Sequence, residues 1–284
     1  MEDKLRRLSN IGIVPVVKIN AEEESLPLAK ALKDGGIDCM EITFRSNHTI
    51  HAIKVITENM PEILVGAGTV ANVEQAKEAV KAGASFIVTP GLNIPVIEWC
   101  IQEGVLIIPG VATPTEIETA LSYGLHNLKL FPAETMGGAK FIKDISGPYP
   151  QVRIMPTGGI STANMHDYLK LKNVIAIGGS FMLPNDVILA QDWASIEALS
   201  KDAVKSLLDI TTESITLNLD SSLNSVLPML SPQVALGKDT KIELSTPYLS
   251  RSVYHLGKDN TLNVEEGSVK FETNEATVIL RERG

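Results

Sequence analysis

Residues 1–210 repeat one pattern, a short apolar run rich in β-branched residues followed by a stretch with helical spacing. The apolar runs read, in chain order, IGIVPVVKI, CMEITFR, LVGAGTV, FIVTPG, VLIIPGV, LKLFPA, RIMPTGG and VIAIGGS. Between them lie stretches such as AEEESLPLAKALKDGG and NVEQAKEAVKAGA, and the glycine near the end of the second is a common helix stop signal. Apolar strands that alternate with helices predict a parallel sheet buried on both faces.

The number of units decides between two parallel architectures. Eight strand–helix units within about 210 residues fit a (β/α)8 TIM barrel at its compact limit. An open doubly wound sheet is the rival, but it is disfavoured by the eight units and by the lack of an opening G-x-G-x-x-G. The sequence therefore predicts an α/β domain at residues 1–210 that is built as a (β/α)8 barrel.

Residues 211–284, the C-terminal extension, follow a different pattern. Alternating polar and apolar residues predict strands with one exposed face at SITLNL, KIELS, SVKFET and ATVILRE. The segment PYLSRSVYHLG is typical of a short helix. We therefore expect a small α+β module whose size is near the lower limit for independent stability.

Composition and charge restrict the function classes. Hydrophobic residues make up 44% of the 284 residues and charged residues 21%, which is typical of a soluble globular protein. The net charge of −9 argues against a general nucleic-acid partner, although a local phosphate pocket remains compatible with it. No apolar run approaches the roughly 20 residues of a membrane span, and MEDKLRRLSN lacks the apolar core of a signal peptide. We expect a cytoplasmic protein with no membrane partner.

The cysteines and histidines give no sign of a metal site. Cys39 and Cys100 lack the spacing of a zinc site or a disulfide framework. We therefore interpret Cys39 as a core residue at the start of the second strand and Cys100 as a helix residue. The five histidines form no convincing ligand set. We expect neither a metal nor another cofactor.

The active site of a (β/α)8 barrel enzyme lies at the carboxyl ends of the strands. The residues at the ends of the predicted strands are therefore the candidate site residues. These residues stand at or just after the predicted strand ends: Lys18, Glu41, Arg45, Thr69, Pro90, Lys129, Phe131, Thr157, Gly158, Gly159, Gly179 and Ser180.

The second strand carries polar residues on one face. Glu41, Thr43 and Arg45 share one parity and so point the same way, toward the barrel interior or its mouth. Charges at strand ends in a cleft are candidate functional groups. The alternative is an interior ion pair between Glu41 and Arg45 that only fills space.

Lys129 is the candidate nucleophile. Its neighbours Leu128 and Leu130 face the opposite way, so Lys129 points either into the barrel or outward under the helices. Removal from water favours the neutral amine of a lysine, a nearby carboxylate opposes this, and a neutral amine can form a Schiff base with a ketone. From spacing alone, a lysine whose ammonium reaches the solvent at a strand end is an equally good interpretation.

Two glycine pairs, in PTGGIS and IGGS, close the seventh and eighth strands. Loops at these positions often hold a phosphate in barrels, because glycine lets backbone N–H groups approach an anion closely. Ser180 adds a hydroxyl donor. The alternative is that the glycines only make tight turns.

Together, EITFR, VGAGTV, TPGL, IPGVATPTE, LKLFPAE, GPYPQVRIMPTGGI and IGGS closely resemble the 2-keto-3-deoxy-6-phosphogluconate (KDPG) and 4-hydroxy-2-oxoglutarate (KHG) aldolases, from about residue 5 to 208. The resemblance implies a metal-free, class I (β/α)8 aldolase, commonly a homotrimer. It implies cleavage of the phosphorylated keto-deoxy acid to pyruvate and glyceraldehyde 3-phosphate in the Entner–Doudoroff pathway, and of 4-hydroxy-2-oxoglutarate to pyruvate and glyoxylate.

The same resemblance assigns roles to the candidates. It implies that Lys129 forms the Schiff base and that Glu41 is the general acid and base. Residues implied to bind the pyruvyl end or to line the pocket are Arg45, Thr69, Phe131 and Pro90. The resemblance implies that the rest of the substrate is contacted by Thr157, Gly158, Gly159, Gly179 and Ser180. Of these, the three glycines and Ser180 are implied to contact its phosphate. Lys18 stands where many relatives carry an arginine, which keeps the charge and loses the planar fork.

Other hypotheses remain open at this point. The substrate of an aldolase could be the phosphogalactonate epimer, and a phosphate-binding barrel enzyme without a Schiff base, or a non-catalytic binding module, would also use the glycine pairs. The C-terminal extension resembles the second half of a glyoxalase (vicinal-oxygen-chelate) module. Because no ligand set accompanies His255, we expect a structural or oligomer-contact role for this extension.

Overall fold

The computed structural model describes residues 1–216, 240–257, 262–265, 267–272 and 276–283. The chain forms two compact units, Met1–Leu207 and Leu208–Gly284. In the described part of the chain, no helix is long and apolar enough to cross a membrane.

The first unit is built around eight parallel strands. Their bounds are β1 Ile13–Val17, β2 Cys39–Thr43, β3 Leu64–Gly68, β4 Phe86–Val88, β5 Leu106–Ile108 continued by Gly110–Val111, β6 Asn127–Leu130, β7 Arg153–Pro156 and β8 Ile177–Gly179. One sheet has the order β5-β4-β3-β2-β1-β8, and β5 through β7 form the other.

The strands close into a ring. Gly110 pairs with Lys129 to join β5 to β6, and a bridge between Thr157 and Gly178 joins β7 to β8. Every residue of β2 and β3 is buried, as expected for strands covered on both faces. The predicted (β/α)8 barrel is therefore confirmed.

Helices surround the barrel. Their bounds are α1 Glu2–Ile11, α2 Ser25–Asp34 after a 3₁₀ turn at Glu22–Glu24, α3 Thr49–Asn59, α4 Val73–Lys81, α5 Ile94–Gln102, α6 Pro114–Ser122, α7 Gly138–Ser146, α8 Met165–Leu169, α9 Asn185–Leu189 and α10 Trp193–Leu208. Side chains cap several of them: Asn72 and Asn93 accept from the first turns of α4 and α5, and Thr113 forms a capping box with Glu116. Each such cap is worth about 1 kcal/mol and fixes where a loop after a strand becomes a helix.

Helix α1 lies across the amino-terminal end of the barrel. Leu8 and Ile11 are fully buried. Lys4 donates a hydrogen bond to the carbonyl of Ser85, and Arg7 pairs with Asp38 at 3.1 Å, just before the starts of β4 and β2. This end of the barrel is thereby covered, so the loops at the opposite end are left to form a site.

The second unit contains a mixed sheet. Its elements are β9 Thr211–Thr216, β10 Thr240–Thr246, α11 Leu249–Leu256, β11 Asn263–Glu265, β12 Ser268–Glu272 and β13 Ala276–Glu282. The strand order is β9-β10-β13-β12-β11, with β10 and β13 parallel and the other pairs antiparallel. The predicted small α+β extension is confirmed. Residues 217–219 of the predicted SITLNL strand lie outside the described residues, and β11 was absent from the sequence prediction.

Candidate active site

Lys129 and Glu41 meet inside the barrel near the carboxyl ends of its strands. Lys129 lies on β6 and is 4% exposed, while Glu41 lies on β2 and is 0% exposed. The ammonium Nζ of Lys129 donates a hydrogen bond to Oε1 of Glu41 at 3.2 Å. Nζ also lies 5.4 Å from the ring centroid of Phe131, within the range of a cation–π contact. Of the two orientations that strand parity allowed, Lys129 has the inward one.

The surroundings hold the Glu41 carboxylate in place. A Cβ atom added to Gly68, the last residue of β3, would lie 2.5 Å from the Cγ atom of Glu41, so only glycine fits beside it. The second carboxylate oxygen, Oε2, is buried and accepts no hydrogen bond from the described residues. Such an atom in a cleft is available to a reacting group.

Arg45 is held beside this pair through Thr43. The hydroxyl of Thr43 donates to the carbonyl of Val17 at 2.7 Å and accepts a hydrogen bond from Nε of Arg45 at 2.9 Å. Arg45 follows β2 and reaches the exposed rim. Glu41 pairs with Lys129 rather than with Arg45, so the space-filling Glu–Arg ion pair is not formed.

Thr69 follows β3 in a left-handed conformation, with φ at +56°. A β-branched residue rarely adopts this region, and the strain is of order 1–3 kcal/mol. Strained backbone of this kind concentrates at functional sites. The conformation therefore marks Thr69 as a candidate functional residue independently of any resemblance.

The loop after β7 makes a glycine turn next to β6. Gly158 and Gly159 both have positive φ, at +101° and +81°, which glycine adopts without strain. The backbone N–H of Ala133 donates to the carbonyl of Thr157 at 2.8 Å, and that of Glu134 to the carbonyl of Gly158 at 3.1 Å. The glycine turn is therefore tied to the chain that leaves the Lys129 strand.

The remaining predicted residues also lie at the carboxyl end of the barrel. Pro90 follows β4 and is exposed, Gly179 ends β8 and is buried, and Ser180 and Lys18 are exposed just after β8 and β1. The hydroxyl of Thr157 is buried without a hydrogen-bond partner among the described residues. The structure thus brings every predicted site residue to one end of one barrel.

The cysteines take no part in this arrangement. Cys39 begins β2 and Cys100 lies in α5, and both are buried. Burial raises the pKa of the Cys100 thiol to about 12 and raises that of Cys39 well above its usual value. Neither thiol is a thiolate nucleophile at neutral pH. Within the described ranges, no three His, Cys, Asp or Glu side chains are grouped to hold a metal ion.

The chain is similar to known proteins over the barrel. A family model described as KDPG and KHG aldolase matches residues 3–199. The chain belongs to the KDPG and KHG aldolase family.

Individual members of this aldolase family are similar to the chain over most of their own length. The 2-dehydro-3-deoxy-phosphogluconate aldolase of Treponema pallidum is 44% identical over 198 residues, covering 70% of this chain and 94% of that protein. The KHG/KDPG aldolase of Escherichia coli K12 is 44% identical over 193 residues, covering 68% and 91%. Among solved structures, the KDPG aldolase of Legionella pneumophila, with pyruvate captured as a covalent carbinolamine intermediate, matches with a TM-score of 0.68 and 37% identity, covering 70% of this chain and 97% of that one.

Two further residues beside the candidate site, Tyr168 and Glu134, were given no role by the sequence prediction. Tyr168 of α8 is 1% exposed and donates a hydrogen bond from its hydroxyl to Oε1 of Glu134. Burial, and then this hydrogen bond, raise the pKa of Tyr168 well above its usual value. Glu134 ends the LKLFPAE motif and so was in view, but no pattern in the sequence indicated its partner.

Proposed function

We propose that this chain is a class I aldolase that cleaves 2-dehydro-3-deoxy-6-phosphogluconate to pyruvate and glyceraldehyde 3-phosphate. The observation that carries the proposal is the buried lysine, Lys129, hydrogen-bonded to Glu41 at the carboxyl end of a barrel. A lysine removed from water beside a group that can take its proton is the arrangement needed for Schiff-base chemistry. The name of the Escherichia coli relative favours 4-hydroxy-2-oxoglutarate as a second substrate, which would yield pyruvate and glyoxylate.

The first half of the reaction forms the iminium. The hydrogen bond between Nζ and Oε1 gives the ammonium of Lys129 a route to pass a proton to Glu41. The neutral amine attacks the C2 ketone to give a carbinolamine. Glu41 then returns its proton to the carbinolamine hydroxyl, which leaves as water, so the iminium forms and Glu41 is again a carboxylate. This cationic carbon–nitrogen double bond then acts as the electron sink for the C3–C4 bond.

The second half breaks and reprotonates carbon. Glu41 takes the proton of the C4 hydroxyl, directly or through a water, and Oε2 is the oxygen left free for this by the contact with Lys129. The C3–C4 bond breaks, the aldehyde leaves and an enamine of pyruvate remains on Lys129. Glu41 then returns a proton to C3, and hydrolysis of the iminium releases pyruvate.

The other candidates bind the two ends of the substrate. Arg45, held by Thr43, suits the planar carboxylate of the pyruvyl end, and Thr69 supplies a hydroxyl there. Pocket walls and phosphate contacts are assigned to Pro90, Phe131, Thr157, Gly158, Gly159, Gly179 and Ser180. Lys18 supplies a positive charge at the same rim.

Borohydride trapping tests the proposal. Pyruvate and borohydride should leave a stable adduct on Lys129 that peptide mass spectrometry locates, and Lys129→Ala should abolish it. Lys140→Ala is the matched control, because Lys140 is an exposed lysine paired with Asp144 on α7. An adduct that persists in Lys129→Ala would show that another lysine is the nucleophile. No adduct in the wild type would favour a phosphate-barrel enzyme without a Schiff base.

Substrate preference needs a direct comparison. The phosphogluconate-derived acid, its phosphogalactonate epimer and unphosphorylated 4-hydroxy-2-oxoglutarate share the pyruvyl end and differ at C4, at C5 or at the phosphate. Retro-aldol rates measured side by side on the three acids test the proposed preference. A higher kcat/KM on the phosphogalactonate epimer would reassign the enzyme to that substrate.

The family resemblance also supports predictions about the setting of the enzyme. These are a homotrimer, a cytoplasmic location, a place in the Entner–Doudoroff pathway, and domains at residues 1–210 and 211–284 with a partial glyoxalase-like extension. Sedimentation equilibrium of the full chain tests the oligomeric state.

A further inference from the structure

The chain leaving β6 runs beside the loop that follows β7. Backbone hydrogen bonds from Ala133 and Glu134 to the carbonyls of Thr157 and Gly158 extend the pairing of the two strands beyond their ends. These backbone hydrogen bonds therefore fix the loop with the glycine turn relative to the Lys129 strand, in addition to the hydrogen bonds of the sheet.

The side chain of Glu134 packs against the glycine turn itself. A Cβ atom added to Gly159 would lie 2.5 Å from Cγ and 2.7 Å from Cβ of Glu134, so the stem of Glu134 lies directly on the backbone of Gly159. The position of this stem consequently limits the positions that the turn can take.

Helix α8 fixes the other end of Glu134. Buried Tyr168 donates its hydroxyl hydrogen bond to Oε1 of Glu134. Asn164, just before α8, donates from Nδ2 to the carbonyl of Gly159 at 3.0 Å and accepts from the N–H of Ser161 at 2.8 Å. The turn is thus held from one side by Asn164 and from the other by the Glu134 stem.

We propose that Glu134 and Tyr168 are a positioning pair that holds the Gly158–Gly159 turn in the conformation that receives the substrate phosphate. The inference rests on the proposed aldolase function, since it deepens the role given there to the glycine turn. Neither residue is assigned a contact with the reacting atoms. The pair should therefore affect binding of the phosphate end and leave the Schiff-base step unchanged.

The charge of Glu134 makes the tyrosine necessary. An unrestrained carboxylate next to a phosphate would repel it, and this repulsion grows as the two charges approach each other. The hydrogen bond from Tyr168 holds the charge toward α8. Glutamine at this position keeps an oxygen that can accept from Tyr168 and removes the charge, whereas alanine removes both the acceptor and the stem.

Tyr168→Phe and Glu134→Ala test the pair by steady-state kinetics. We expect each to raise KM for 2-dehydro-3-deoxy-6-phosphogluconate about tenfold, the effect of losing one hydrogen bond to a charged group. The kcat for this substrate, the rate of pyruvate trapping on Lys129 and the rate on 4-hydroxy-2-oxoglutarate should stay near wild type. Glu134→Gln should restore KM to the wild-type value or below it.

Tyr149→Phe is the matched control, because Tyr149 makes the same kind of hydrogen bond to Glu118, at 2.9 Å, and precedes β7 rather than following its carboxyl end. It should leave KM unchanged. Equal losses on phosphorylated substrate and in pyruvate trapping, or an unchanged KM in both Tyr168→Phe and Glu134→Ala, would overturn the inference. Failure of the wild type to trap pyruvate would instead overturn the proposed function. Glu134 is exposed, so its variants keep the test valid if Tyr168→Phe fails to fold.

Discussion

Nζ of Lys129 lies 3.2 Å from Oε1 of Glu41, although the two residues stand 88 positions apart in the chain. Their strands, β6 and β2, are four apart in a ring of eight and so face each other across the barrel. The contact can form only when the ring has closed. The proposed catalytic pair is therefore a product of the complete fold rather than of any local segment.

Breaking this buried pair on one side should cost more than replacing both partners. Lys129→Met leaves the Glu41 carboxylate buried without its ammonium, and we expect a loss of about 3–5 kcal/mol in the free energy of unfolding. Lys129→Met combined with Glu41→Gln should lose less, because no buried charge remains. Urea unfolding followed by tryptophan fluorescence reports on the barrel alone, since both tryptophans, Trp99 and Trp193, lie in the first unit. Additive losses in the double variant would contradict the prediction.

Glu41→Gln should separate Schiff-base formation from turnover. The amide cannot take or return a proton, so we expect kcat for the retro-aldol reaction to fall about 10²- to 10⁴-fold. Lys129 remains, so pyruvate should still be trapped, although more slowly than in the wild type because the amide cannot take the proton of the ammonium. Glu58→Gln on α3, an exposed carboxylate, should leave both measurements at the wild-type value. Wild-type kcat in Glu41→Gln would remove Glu41 from the mechanism.

Gly68→Ala should reproduce much of this defect without changing Glu41 or Lys129, the residues proposed to be catalytic. The added methyl group would overlap the side chain of Glu41 and move its carboxylate away from Lys129. We expect kcat to fall and the free energy of unfolding to drop by about 1–3 kcal/mol, as in other overpacked cores. Gly147→Ala is the control, because a Cβ atom there comes no closer than 3.8 Å to a neighbour. An unchanged kcat in Gly68→Ala would show that the site accommodates the methyl group.

The barrel and its active end could be predicted from the sequence because both depend on periodicity. Eight alternations fixed the number of strands, and the parity of β2 placed Glu41 and Arg45 on one face. Periodicity could not predict the partner of Glu41. Strand parity and barrel geometry place two cations, Lys129 and Arg45, toward the same interior and do not choose between them. The choice depends on distances across the closed ring.

Features that depend on single contacts between distant residues could not be predicted from the sequence. Helix α1 was missed, although at 10 residues it is as long as α2, because its role of covering the barrel end depends on strand starts that lie far away in the chain. The Tyr168–Glu134 hydrogen bond links residues 34 positions apart, and neither residue type is unusual at its position. The positive φ of Thr69 is likewise imposed by its surroundings against the preference of a β-branched residue.

Because the backbone of Thr69 is strained, we expect a substitution there to raise stability and weaken substrate binding at the same time. Thr69→Gly relieves a backbone strain of about 1–3 kcal/mol but adds about 1 kcal/mol of chain entropy to the unfolded state, so we expect a net gain of about 1 kcal/mol in the free energy of unfolding. KM should rise in the same variant, because the hydroxyl proposed to bind the pyruvyl end is lost. Thr69→Val, which keeps the branch and lacks the hydroxyl, should raise KM without the gain in stability. A stabilised Thr69→Val, or an unchanged KM in both variants, would contradict this account.

Truncation after Ile210 tests whether the C-terminal extension contributes to turnover. All proposed site residues lie between Lys18 and Ser180, so we expect the shortened chain to keep the retro-aldol rate of the full chain. Leu280→Asp is a matched variant in the full chain, because it places a charge at a fully buried position of the extension's sheet and should also leave the rate unchanged. Sedimentation of both proteins then measures whether the extension contributes to assembly. A rate lost on truncation but kept in Leu280→Asp would show that the extension's presence, rather than its folded sheet, supports the barrel.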